Sequence, residues 1–266
     1  MKKTSRAAGL VAGLVTQLIL ALAGCRAPGP GKVLETPFPV LDQAGNAREY
    51  RLFLPERTKG RLPLLVYFHG VISPCFKKNP SLKNYTGSPV EETGLIAFSR
   101  SRGIALLVPT AKYEYTFLNC PSLGWLTSKE IDGVEKMIDT VASRLDIDGR
   151  RIYLAGISAG AVFSHFLANR RPRFYSAIVS HSQAYVSEGG ELLLPAEKGP
   201  HFGIIFCYNE GDYEQLIQFC IDSERIYRGE GYRTILLPDL PPKGHAWSSP
   251  NNERFWKLLV RLGQKE

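Results

Sequence analysis

Apolar residues along this chain fall into short unbroken runs separated by stretches of helical period. Leu62-Pro63-Leu64-Leu65-Val66-Tyr67-Phe68 carries no charge at all, which is the pattern of a strand buried on both faces. Shorter apolar runs follow at 104–108, 152–155, 177–179, 203–208 and 234–237. Between them, Ile131, Val134, Met137, Ile138, Val141 and Leu145 recur at helical spacing, and one apolar face of a helix has that period. Further helices are predicted just after Ser158, over about 213–229 and over about 251–263. Residues 33–41 and 47–54 read as an antiparallel hairpin around a turn at 42–46. Strands alternating with helices predict one α/β domain over 33–266, with a mostly parallel central sheet and helices on both faces. No internal repeat or second domain is visible.

Composition narrows the class. The chain has 266 residues, 44% of them hydrophobic, with 13 Phe and 12 Tyr, enough to bury a large core and to exclude disorder. Its formal charge is +8, part of it at Lys2, Lys3 and Arg6. No basic run with interleaved aromatics is present, so nucleic acid is not expected as a partner. Those three cations precede a short apolar stretch over 10–23, the layout of an export signal, too short for a convincing spanning helix. The stretch ends in Leu22-Ala23-Gly24-Cys25, which resembles the lipobox of bacterial lipoproteins. That resemblance implies removal of residues 1–24, a lipid anchor on Cys25 in the membrane, and residues 26–32 as a tether. It places the protein in the cell envelope on the extracytoplasmic side. Four cysteines then remain, and they allow three disulfide pairings. Cys75 with Cys120 is the expected pair, both lying in loops after predicted strands, whereas Cys207 and Cys220 fit buried thiols. No Cys/His cluster suggests a metal, and no cofactor is expected.

The chemistry gathers at strand ends. Gly156-Ile157-Ser158-Ala159-Gly160 follows an apolar strand and opens a helix, so GxSxG stands at a sharp strand-to-helix turn. Such a turn leaves no space for larger side chains at the glycines, lifts the serine hydroxyl clear, and aims the N–H groups of a helix N-terminus at it. Ser158 is therefore the expected nucleophile. A serine needs a base and an orienting acid. His245, in the loop after the last strand, is the expected base. His201 falls at the far end of the sheet. The acid belongs after the penultimate strand, where Asp212 is favoured over Glu210; Asp212 would serve equally as a helix cap. The N–H groups of Val71 and Ala159 are the expected oxyanion hole. His69 and His165 fit packing positions, and His181 fits either the cleft or the core.

The set HGV (69–71), GISAG (156–160), NEGD (209–212) and GHAW (244–247) resembles the α/β-hydrolase superfamily, and within it the polyhydroxybutyrate depolymerase and feruloyl esterase branch. The resemblance spans about 48–260. It implies a serine esterase acting on feruloyl- or acetyl-type esters of polysaccharide, or on hydroxyalkanoate oligomers. Family members usually carry Gly where Asn209 stands and a Val-Pro-like continuation where Tyr213–Gln215 stand, departures that suggest a different pocket wall. Trp125 matches a Trp-containing loop bordering the cleft of such esterases, so Trp125 and Trp247 are candidates for substrate stacking, with core packing as the alternative. A serine peptidase of the same fold, or a non-catalytic surface lipoprotein that binds through this fold, also fits the chain.

Overall fold

The computed structural model describes residues 32–56, 60–78, 85–183 and 201–264. Cys25 and the expected leader lie outside the described residues. The strands are β1 (Val33–Glu35), β2 (Tyr50–Phe53), β3 (Leu62–Phe68), β4 (Ala105–Pro109), β5 (Glu114–Phe117), β6 (Cys120–Leu123), β7 (Ile147–Ile157), β8 (Ala177–His181), β9 (Gly203–Asn209) and β10 (Thr234–Leu240). Eight of them form one sheet in the order β1-β2-β4-β3-β7-β8-β9-β10. Every pair from β4 to β10 is parallel, and only the pairs β1–β2 and β2–β4 at one edge are antiparallel.

The alternation within β3 shows why that run is apolar throughout. Leu62, Leu64, Val66 and Phe68 enter the core on one side of the sheet, while Leu65 and Tyr67 enter the core on the other. On the first side lie helices Ile131–Arg144, Ala159–Arg170 and Glu214–Gly229, contributing residues such as Val134, Met137, Phe163, Leu167, Cys220 and Tyr227. On the second side lie Leu95–Arg102 and Asn252–Gly263, contributing Leu95, Phe255, Leu259 and Leu262. The expected parallel sheet with helices on both faces is present.

Three local features depart from the sequence pattern. The amino-terminal hairpin pairs only Val33–Glu35 with Tyr50–Phe53, plus a bridge from Leu41 to Ala47. Pro37 and Pro39 remove ladder donors between them, and the Tyr50 hydroxyl substitutes by bonding both N–H (3.1 Å) and C=O (2.7 Å) of Phe38. The helix Leu95–Arg102 was not apparent in the pattern, because it buries only Leu95 and Ser99. The two-stranded β5–β6 hairpin was also unforeseen. Its turn places Leu118 and Asn119 at φ 50° and 61°, a geometry that Asn-Gly ordinarily advertises.

Candidate active site

The strand β7 ends at Ile157, and Ser158 turns the chain into helix Ala159–Arg170 with φ 55° and ψ −123°. A non-glycine residue at positive φ is strained and persists only where its surroundings over-determine it. Here the Ser158 N–H is held by His181 O (2.9 Å), and Ser158 O accepts from Ala161 N (2.9 Å). The flanking glycines are required by close approach. A Cβ at Gly156 would stand 2.1 Å from Gly160 O, and one at Gly160 would stand 2.2 Å from Phe68 O.

His245 lies in the loop after β10, and its Nδ1 is 2.8 Å from Asp212 Oδ1. A carboxylate only accepts, so Nδ1 carries the hydrogen and Nε2 is left as the acceptor. The ring is sandwiched by Tyr85 and Tyr213, with centroids at 4.8 and 5.3 Å. Asp212 is buried beneath it, and the same Oδ1 accepts the Tyr213 N–H at 2.7 Å. Burial pushes this carboxyl up, but the hydrogen bond and charge of His245, the Ser182 hydroxyl and the Tyr213 N–H outweigh that and hold it below the ordinary carboxylate value. The residue at the cap of helix Glu214–Gly229 is Tyr213, so Asp212 is not its cap. Glu210 instead pairs with Lys243 at 2.6 Å, in solvent.

Backbone donors flank the serine. In the turn after β3, Gly70 N–H bonds Gly87 O (2.7 Å) and Ile72 N–H bonds Leu123 O (2.8 Å). Val71 stands between them, at the cavity wall. Ala159 is the first residue of its helix, where N–H groups have no intrahelical acceptor. Val71, Ala159, Ser158 and His245 all line one cavity of about 310 Å³. Its remaining wall is mainly apolar: Phe76, Tyr85, Phe117, Leu118, Leu126, Tyr213 and Leu216, with Gln183 and Gln215. Ser158, His245 and Asp212 are thus brought to one place from three strand ends.

Residues 48–193, more than half of the chain, match the family described as Esterase PHB depolymerase. The chain belongs to the PHB depolymerase esterase family. A stretch of 159 residues is 31% identical to "Probable carboxylesterase 4, mitochondrial" of Arabidopsis thaliana, covering 53% of this chain and 40% of that protein. This match spans less than half the length of that relative. Among solved structures, the chain is similar to EstE1, a thermophilic carboxylesterase cloned from a metagenomic library, with TM-score 0.54 and 15% identity over 99% of this chain and 97% of that one. It is also similar to a ferulic acid esterase, with TM-score 0.56 and 12% identity over 89% and 100%. At such identities the likeness is one of fold.

Within this member of the family, two sequence expectations need correction. Trp125 and Trp247 do not line the cleft. Trp125 is wholly buried against Phe68, Phe163 and His69. Trp247 packs on Tyr67, His181 and Phe255, and its Nε1 donates to Asn252 Oδ1 at 2.9 Å. Indole is most economically placed where its large apolar face is desolvated and its N–H is paired, and the space between sheet and helices offers that. Nor does a disulfide join Cys75 to Cys120: among the described residues Cys75, Cys120, Cys207 and Cys220 are free thiols. Cys120 opens β6 rather than a loop, and its hydrogen bond to Cys75 lowers the Cys75 pKa. Cys207 and Cys220 are buried thiols, as expected.

The remaining histidines take packing roles. His69 rests against Trp125, its Nδ1 2.6 Å from Gly70 O. His165 is held between Tyr227 Oη (3.1 Å) and Ser180 Oγ (3.0 Å). His181 is fully buried and lines no part of the cavity. Tyr213 falls in the stretch expected to alter the pocket wall, whereas Tyr85, the other ring beside His245, has no mark in the sequence. An aromatic residue in such a loop carries no periodicity, so nothing local marks it.

Proposed function

We propose that this chain is a lipid-anchored extracytoplasmic serine esterase working through an acyl-enzyme. His245 Nε2 takes the Ser158 proton as Ser158 Oγ attacks the ester carbonyl, and Val71 N–H and Ala159 N–H bind the developing oxyanion. His245 then returns the proton to the leaving alcohol. Water attacks the acyl-enzyme with His245 again as base, releasing the acid. Asp212 keeps the imidazole in the tautomer that presents Nε2 and stabilises the imidazolium. The observation that carries this reading is the 2.8 Å bond from a buried, low-pKa Asp212 to a histidine facing the same cavity as a strained serine.

The substrate class rests on the family and on the cavity wall. An apolar, aromatic-lined cavity of about 310 Å³ suits a neutral aromatic or short acyl group, such as feruloyl, acetyl or hydroxybutyryl esters of saccharides or oligomers. Attachment through Cys25 rests on Leu22-Ala23-Gly24-Cys25. The test is fluorophosphonate labelling of the full-length chain beside Ser158→Ala and His245→Ala. Labelling of the wild type alone supports the reading, and acetyl, feruloyl and hydroxybutyryl esters then rank the substrates. A folded wild type that stays unlabelled overturns it. Detergent-phase partitioning of the wild type and aqueous partitioning of Cys25→Ala would support the anchor.

A further inference from the structure

A buried polar side chain at the end of β9 performs a task in the fold. Asn209, the last residue of β9, is completely buried. Its side-chain amide donates to two main-chain carbonyls, Gly244 O at 2.9 Å and Ala246 O at 2.6 Å. These are the carbonyls on either side of His245. The loop between β10 and the last helix has no strand partner, so the amide ties a half-buried stretch of main chain to the end of β9, beside the Ala246 N–H to Gly244 O bond at 3.1 Å. Glycine at 209 would offer these carbonyls nothing.

Other buried polar groups lie near this amide. His181, in the adjacent strand, stacks at 5.3 Å on Trp247 and bonds Ser182 Oγ through Nδ1 at 2.7 Å. Ser182 lies beside the Asp212 carboxylate, and the other edge of the His181 ring is turned to the Asn209 side chain. Asp212, Ser182, His181 and Asn209 are thus neighbouring buried polar groups, and the Asn209 amide reaches the carbonyls that flank His245. The acid holds the ring of His245, and the amide holds the main chain of the residues on either side of it.

We propose that Asn209 is a positioning residue for His245, fixing the loop backbone so that the imidazole reaches Asp212 and Ser158 together. The proposal rests on the serine-esterase reading but has a readout independent of turnover. The experiment takes the full-length chain with Asn209→Ala and Asn209→Ser, p-nitrophenyl acetate as substrate, and the low-field proton resonance of the His245 Nδ1–H···Asp212 pair. Misplacing a catalytic group by about 1 Å costs on the order of 10²-fold, so kcat of Asn209→Ala should fall by about 10- to 100-fold with KM little changed. The resonance should broaden or vanish, and serine, which keeps one donor, should fall between. A folded Asn209→Ala with wild-type kcat and an unchanged resonance overturns the proposal, as does a change confined to KM. If both variants unfold, Asn209 is a folding residue and the proposal is also overturned. Hydrolysis surviving in Ser158→Ala would instead sink the esterase reading, while the resonance still reports on the clamp.

Discussion

Gly70 and Tyr85 share one space. A Cβ at position 70 would stand 1.8 Å from Tyr85 Oη and 3.3 Å from Ser158 Cβ. The glycine of the turn after β3 thus admits a phenol from a loop fifteen residues on, and the phenol forms the cavity wall above the serine. Burial raises the Tyr85 pKa well beyond the ordinary phenol value, with the neighbouring Ser158 side chain opposing, so it stays protonated.

Gly70→Ala should therefore cost about 1–3 kcal/mol, the usual range for overpacking. Much of this should return in Gly70→Ala/Tyr85→Phe, because the hydroxyl is the atom struck. Gly160→Ala meets the main-chain oxygens of Phe68 and His69 at 2.2 and 2.6 Å, which no side-chain substitution can move. Thermal unfolding of these variants checks both: the Gly160 variant should not be rescued by any neighbour.

Asp212→Asn should leave the fold intact and lower kcat by about 10⁴-fold, as expected when a histidine is held in the wrong tautomer. Glu210→Gln, which loses only its exposed contact with Lys243, should retain full activity. Ester hydrolysis by the two variants side by side decides between these neighbouring carboxylates.

Acid should unfold the protein from near neutrality. Burial depresses His165 and His181 to about 3 from 6.5, so both are neutral in the fold and take up a proton when it opens. Their contribution is complete above pH 6.5 and is lost progressively as pH falls toward 3, because the unfolded chain binds more protons across that interval. Urea midpoints measured from pH 7.5 to 4 should fall steadily. The slope should be shallower in His165→Leu, whose side chain no longer titrates.

Glu130 and Arg48 form a wholly buried ion pair. Glu130 Oε1 also accepts the N–H groups of Lys112 (2.7 Å) and Tyr113 (2.8 Å), tying the chain after β4 to the start of helix Ile131–Arg144. Removing one partner strands a buried charge, so Glu130→Ala should destabilise by about 3–5 kcal/mol, read as a lower denaturant midpoint.

Much of this architecture was legible because the signals are local. The β3 run, the helical spacing from Ile131 to Val141 and the GISAG turn each record a burial pattern or a backbone requirement within a few residues. Ser158, His245 and Asp212 follow from where strands end. The β5–β6 hairpin was not legible, since Leu118 and Asn119 adopt positive φ without a glycine to announce it, and that hairpin supplies Phe117 and Leu118 to the cavity.

What the chain determined by itself is which positions are buried and where the backbone must turn sharply, because periodicity and glycine report those directly. Tertiary structure decided which buried group meets which. Trp125 and Trp247 are apolar enough for a cleft or a core, and the space beside β3 took both. Asn209 reads as a polar residue in an apolar strand until the loop carrying His245 folds over it and presents two carbonyls. Hydrogen bonds between residues 35 and 37 positions apart leave no periodic trace, since their geometry exists only once the sheet has assembled.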